Sequence, residues 1–320
     1  MSHEHKLLFH LRMLTDSVRM EAYCRAIEGT VRPGDVVVDL GSGSGILGLL
    51  AARAGASRVF CVEKDEYMVQ RARRIVHDNG FDGVVEFLNT KIEDLESFPL
   101  PVDVIVSETM GPAGIDEGIF QLFAHCVGLL GSRPRCIPDE LTVLAAPLQV
   151  HELSERRAQA SRVVGLDFSS LAGDIGSIAQ ILPVLPSMLV GPVGKLFHGA
   201  PGLDTLPEEL TVTWDLAELS PVDAVGVWFK TRLSEDVDLA NPPEGPDTHW
   251  NQLVLPILPG TGPIRGAVQF TLWPRFVSIT PRWKWRLTWD GGEYTGDPAD
   301  LDAPEDLEGW LKTWGVTRKS

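Results

Sequence analysis

Glu108 and Glu117 stand nine positions apart (117 − 108) in the stretch Ser107-Glu108-Thr-Met-Gly-Pro-Ala-Gly-Ile-Asp-Glu117. Two carboxylates across a glycine-bearing loop can grip a planar cation, because an ionised carboxylate only accepts N–H bonds. Three further sets of residues offer chemistry. Gly41, Gly43 and Gly45 follow Val36-Val37-Val38-Asp39. Glu63 lies about 20 residues beyond them, where an acid at a strand end accepts bonds from ribose hydroxyls. The spacing is GxGxG and not GxGxxG, so the glycines alone fit a structural turn as well as an adenine-cofactor loop. Asp16, Arg19 and Tyr23 fall on one helix face, and Thr248-His249-Trp250 sits in a proline-rich turn. Taken singly, Arg19 reads as a solvated or paired arginine, Asp16 as a helix cap and His249 as a loop histidine.

These sets are useful only if distant segments meet, and the apolar pattern supplies the scaffold. Leu7, Leu8, Leu11 and Leu14, then Val18, Tyr23 and Ile27, recur at helical spacing. Two short helices over residues 6–30 are expected, the second capped by Thr15 or Asp16. Strands are expected at Val36–Val38, Arg58–Glu63, Val84–Leu88 and Val102–Val106, with helices over Ile46–Ala54 and Asp65–Asn79. Such alternation implies a doubly wound sheet with ligands at the C-terminal ends of its strands. Glu63 and Glu108 both follow strand ends.

From about Pro138 the pattern changes to period two, as in Leu210–Trp214 and Trp283–Trp289, and all nine tryptophans lie beyond residue 210. This half reads as antiparallel, barrel-like or sandwich-like, with the 283–289 tryptophans in its core. Leu171–Pro207 is rich in Gly, Pro, Leu and Val and fits either a loop or an apolar protrusion that docks on a partner subunit.

The chain has 320 residues and a net charge of −16, which argues against nucleic-acid binding through a basic face. Cys24, Cys61, Cys126 and Cys136 lack metal-binding spacing and read as reduced core thiols. No metal site is expected. The opening MSHEHKLLFH has too short an apolar run for a signal peptide, and no run has the length of a membrane span. A cytoplasmic location is the expectation.

At this point the sequence resembles the protein arginine N-methyltransferases. The matching elements occur in the family's order over nearly the whole chain. They are Met13-Leu-x-Asp16-x-x-Arg19-x-x-x-Tyr23, Val38-Asp-Leu-Gly-Ser-Gly-Ser-Gly45-Ile-Leu, Glu63, Lys91-Ile92-Glu93 and Ser107-Glu108-x-Met-Gly…Glu117. Pro138-Asp139, Gly165-Leu-Asp-Phe168 and Thr248-His249-Trp250 complete the set. The resemblance implies a Rossmann-like, seven-stranded SAM-methyltransferase domain over 31–138, preceded by cofactor-covering helices over 1–30. It also implies an antiparallel β-barrel-like substrate domain over 139–320, with a dimerisation arm at 172–200 and a homodimer.

The resemblance further implies S-adenosylmethionine as cofactor and S-adenosylhomocysteine as product. His10, Met13, Asp39, Gly41, Gly43 and Gly45 would line the cofactor site, and Arg19 would pair with the cofactor's carboxylate. Glu63 would take the ribose hydroxyls, Ile92 and Glu93 the adenine, and Glu108 would border the cofactor. Glu108 and Glu117 would hold the substrate guanidinium beside Met110 and Trp250. His249 would orient the glutamates, paired with Asp16 as a proton exit.

Three positions depart from the family pattern. No tyrosine precedes His10, Thr109 stands where the family has tryptophan, and Ile119 stands where it has methionine. The substrate wall is therefore expected to differ, which favours free L-arginine or a small guanidino metabolite over a peptide arginine. The competing assignments are methylation of another amine or hydroxyl on the same sheet, and a cofactor-binding scaffold without catalysis.

Overall fold

The computed structural model describes residues 3–131, 133–176, 178–257, 264–277 and 280–297. Helices α1 (His3–Leu14) and α2 (Ser17–Thr30) come first. Asp16 ends the link between them because its Oδ1 accepts the Arg19 backbone N–H at 3.0 Å, capping α2. A parallel sheet follows: β1 (Val36–Leu40), β2 (Arg58–Val62), β3 (Val85–Leu88), β4 (Val104–Ser107) and β5 (Arg135–Ile137), in the order 3-2-1-4-5. Its crossovers are α3 (Ile46–Arg53), α4 (Glu66–Asp78), a 3₁₀ turn at Ile92–Asp94 and α5 (Ile119–Gly128). Val37, Val38, Leu40, Val104, Ile105 and Val106 have no exposed surface, as both faces of such a sheet are covered.

The expected Rossmann-like class is what the chain adopts, but among the described residues the parallel sheet has five strands and not seven. The reason is local. After β5 the chain passes Pro138 into β6 (Glu140–Leu148), whose first five side chains alternate between partly exposed and buried and whose partners are antiparallel. A strand with that alternation cannot extend a sheet buried on both faces.

The rest is antiparallel. It comprises α6 (His151–Ser161), β7 (Arg162–Val163), β8 (Leu166–Asp167), α7 (Ser169–Gly176), β9 (Gln180–Leu182), β10 (Gly194–Gly199), β11 (Leu210–Ser220) and β12 (Ala224–Ser234). It continues through β13 (Val237–Ala240), β14 (Gln252–Pro256), β15 (Ile264–Val277), β16 (Thr280–Trp289) and β17 (Gly292–Gly296). One sheet runs β10-β6-β12-β14-β9 and the other β11-β15-β16-β17. Trp285 and Leu287 are wholly buried, as the period-two pattern requires.

Two features of this half bear on function. First, β13 and β14 lie in line along the same edge of β12, so residues 241–251 between them leave the sheet as a loop. Second, the 172–200 segment expected as an arm includes strands after α7. Residues 180–182 and 194–199 are strands at the two edges of the first sheet, where the ladder holds them. What projects is α6, the β7–β8 hairpin and α7, over 151–176, with Val163, Val164, Leu166, Phe168 and Leu171 exposed.

Candidate active site

The glutamate loop leaves β4 at Ser107 and is shaped by glycines in the left-handed region, Gly111 at φ 63°, Gly114 at 80° and Gly118 at 74°. Asp116 pins it from inside. Its backbone N–H donates to the Met110 carbonyl at 3.0 Å, and its Oδ2 accepts the Ala113 N–H at 2.6 Å. Met110 and Asp116 thus form a neck, and Glu108 and Glu117 stand just outside it in sequence, Glu108 after β4 and Glu117 in the turn before α5.

Glu108 is buried against α2. Arg19 Nε and Nη2 both bond Glu108 Oε2, at 2.9 and 2.7 Å, with side chains only 5% and 7% exposed. At that separation the attraction is about 5 kcal/mol for an effective dielectric of ~20, before desolvation is subtracted. Burial alone would lower the Arg19 pKa, yet the charge and hydrogen bond of Glu108 together with Tyr23 and Asp16 outweigh it and raise it. A chain of hydroxyls fixes the residues either side of Glu108. Tyr23 Oη donates to the Ser107 carbonyl at 2.9 Å, and Ser107 Oγ donates to the Leu40 carbonyl at 2.7 Å. The Thr109 hydroxyl then donates to Ser107 Oγ at 3.0 Å.

The 241–251 loop carries His249 across to α2. The His249 backbone N–H donates to Asp16 Oδ2 at 2.8 Å, and His249 Nδ1 lies 3.0 Å from the same oxygen. Asp16 therefore caps α2 with one oxygen and holds His249 with the other. Burial raises the Asp16 pKa, but the bonds from His249 and the Arg19 N–H prevail and hold it below the usual carboxylate range. Asn241, wholly buried, joins the two loops, its side-chain amide donating to the Pro112 carbonyl at 2.9 Å and the Asn251 carbonyl at 2.6 Å. Ser107 belongs to the glutamate-loop motif without a role of its own there, no periodicity or motif marks Asn241 or Asp116, and sequence reasoning missed the positioning role of all three.

The glycine turn leaves β1 with Gly41, Gly43 and Gly45 at φ 70°, 51° and 78°. The Gly43 N–H donates to Glu63 Oε2 at 2.9 Å, so the acid at the end of β2 borders the turn. Helix α1 covers it: a Cβ on Gly43 would lie 2.6 Å from His10 Cε1. Lys6 pairs with Asp65, and His3 stacks on Tyr67 with centroids 3.9 Å apart. Burial lowers the His10 pKa, keeping the ring neutral. The glycine turn, the Glu63 carboxylate and the Arg19 guanidinium make a set that fits a nucleoside bearing an amino-acid tail. Met13 bounds this side, its carbonyl accepting from Arg19 Nη1 at 3.3 Å.

Several expected contacts lie elsewhere. Asp39 is wholly buried and accepts the Gly48 N–H at 2.8 Å, so it anchors the glycine turn to α3, and burial raises its pKa to about 7. Met110 has no exposed surface and Trp250 packs edge-on against Phe229 at 5.1 Å, so both are core supports and not a substrate wall. Thr109 and Ile119 are also buried, Thr109 with its methyl against Gly41. Their identities shape the core beneath the site and not the expected wall. Ile92 is buried and Glu93 exposed in the 3₁₀ turn after β3.

Comparison with known proteins agrees with this geometry. Residues 21–113 match the family described as ribosomal protein L11 methyltransferase (PrmA). An arginine N(omega)-methyltransferase of Streptomyces achromogenes subsp. streptozoticus is 28% identical over 274 residues, 78% of this chain and 71% of that protein. A probable protein arginine N-methyltransferase 3 of Arabidopsis thaliana is 31% identical over 285 residues, 77% of this chain; the chain spans 46% of that relative's length. In the solved Trypanosoma brucei PRMT1 enzyme–prozyme heterotetrameric complex with AdoHcy, one chain superposes with a TM-score of 0.79 at 26% identity, covering 90% of this chain and 96% of that one. Arabidopsis protein arginine methyltransferase 10 shares the fold at a TM-score of 0.72 and 22% identity. The chain is thus similar to named arginine N-methyltransferases over more than three quarters of its length, and it shares the fold of solved arginine methyltransferases, within the class I SAM-dependent methyltransferases.

Proposed function

We propose that this chain methylates a terminal guanidino nitrogen, with free L-arginine or a small guanidino metabolite as the preferred acceptor. The pinned neck between Met110 and Asp116 supports this reading, because it draws together the backbone segments that carry Glu108 and Glu117. Bound S-adenosylmethionine supplies an electrophilic methyl group. The chain's own residues do the rest. Gly41, Gly43, Gly45 and Glu63 bind the nucleoside, with Ile92 and Glu93 at its base and His10 and Met13 covering it; Arg19 takes the amino-acid carboxylate. Glu108 and Glu117 accept N–H bonds from the guanidinium and draw its positive charge to their side. The remaining terminal nitrogen becomes more electron-rich and faces the methyl group. His249, held by Asp16, orients the acids, and the proton leaves through Glu117 or the His249–Asp16 pair.

Preference for a small acceptor is supported by the Streptomyces relative, whose name specifies arginine without a protein, and of which the chain covers 71% against 46% for the Arabidopsis protein methyltransferase. No helix among the described residues is long and apolar enough to cross a membrane, and we place the enzyme in the cytoplasm. The division at residues 31–138 and 139–320 and a homodimer complete the proposal, the dimer forming through the 151–176 projection.

The test uses purified protein, methyl-labelled S-adenosylmethionine, and L-arginine beside an Arg-Gly-rich peptide, with products read by mass spectrometry. Labelled Nω-methyl-L-arginine is expected. Label on the peptide alone overturns the small acceptor, and label on neither overturns the guanidine. Glu117→Gln is expected to lower kcat by roughly 10²–10³-fold with S-adenosylhomocysteine binding retained; an unchanged kcat removes the two-carboxylate mechanism.

A further inference from the structure

Arg19 presents to Glu108 the same group that the substrate would present. Its Nε and Nη2 approach Glu108 Oε2 at 2.9 and 2.7 Å, in a pair shielded from water. A substrate guanidinium and Arg19 therefore share one carboxylate. The Arg19 guanidinium has no second carboxylate bonded to it among the described residues; Nη1 lies 3.3 Å from the Met13 carbonyl and 3.2 Å from Met20 Sδ, and the Tyr23 ring is 5.7 Å from its central carbon. The residue is also anchored to the opposite domain, since the Asp16 that accepts its backbone N–H holds His249.

We infer that Arg19 couples the two ligands, so that the cofactor's carboxylate and the substrate's guanidinium each strengthen binding of the other. The inference rests on the function proposed above. An anion placed on Arg19 divides its positive charge between two carboxylates, and Glu108 then has more negative charge to offer the substrate. Without that anion, the substrate competes with a guanidinium fixed at hydrogen-bond distance on the same protein. Coupling of this kind is reciprocal: the factor by which one ligand tightens the other must be the same in both directions.

Calorimetric titration tests this without turnover. L-Arginine is titrated into the wild-type protein with and without saturating S-adenosylhomocysteine, which carries the carboxylate but no transferable methyl. S-Adenosylhomocysteine is then titrated with and without L-arginine. An Arg-Gly-rich peptide serves in a parallel arm. The expected result is about a 10-fold or greater tightening, equal in the two directions, and its loss in Arg19→Met. Affinities that agree within about twofold overturn the inference while leaving the guanidino substrate intact, as does full coupling in a folded Arg19→Met. If neither acceptor binds even with S-adenosylhomocysteine in place, the substrate assignment fails, and the inference with it. The wild-type measurements stand alone should Arg19→Met not fold.

Discussion

Asp16 does two jobs with two oxygens, and its titration should show it. The group's pKa lies below 3.8 in the folded chain, so the unfolded chain binds the proton first as pH falls. Its stabilising contribution is complete above that ordinary value and is lost as pH drops through the lower folded value. Asp16→Asn should cost about 1.5–3 kcal/mol at neutral pH, the range for hydrogen bonds to a charged group. The gap between wild type and variant should close below pH 3.8. Thermal unfolding of both proteins from pH 7 to pH 3 checks this, and a gap that stays constant across that span removes the linkage. Both roles of Asp16 were foreseen as alternatives, cap or proton partner. That they coexist was not legible, since only the fold brings the second oxygen within reach of a residue 233 positions away.

At the scale of elements, the site is a meeting of two loops. The glutamate loop comes off a parallel strand and the His249 loop off an antiparallel edge. Asn241 bridges them through the Pro112 and Asn251 carbonyls, and its own Oδ1 accepts the Phe229 N–H at 2.9 Å. Asn241→Ala would strand buried carbonyls and an N–H, each costing about 1–3 kcal/mol. A loss of several kcal/mol is therefore expected in denaturant unfolding, with kcat falling more than S-adenosylhomocysteine affinity, because the glycine turn is untouched. A variant as stable and active as wild type shows that the loops hold together without the bridge. The strands, the helices and the capping residue were readable from period and composition. The bridge was not, because a single asparagine carries no periodic signal and its partners lie at residues 112, 229 and 251.

For the whole molecule, the 151–176 projection is the feature with least support from its own chain. Val164 is 92% and Leu166 61% exposed, on a hairpin tip between two short helices. Apolar surface of this kind is covered by a partner in stable assemblies. Val164→Asp with Leu166→Asp is expected to convert a dimer to a monomer in sedimentation velocity, with an unchanged circular-dichroism spectrum. A wild-type protein that sediments as a monomer at micromolar concentration removes the assignment. The sequence placed an apolar protrusion in this region but at 172–200, because low charge and many glycines look alike in a projecting hairpin and in short edge strands.

What the sequence determined by itself was local: the glycine turn, the helix cap, the alternation of strands and helices, and the identity of the paired acids. Each follows from residue type and near-neighbour spacing, which act over a few residues. The tertiary structure decided which of those residues meet. It joined Arg19 to Glu108 and Asp16 to His249, and it withdrew Met110, Thr109 and Trp250 into the core. Contacts between segments far apart in the chain depend on loop lengths, edge pairing and packing, and no local pattern encodes them.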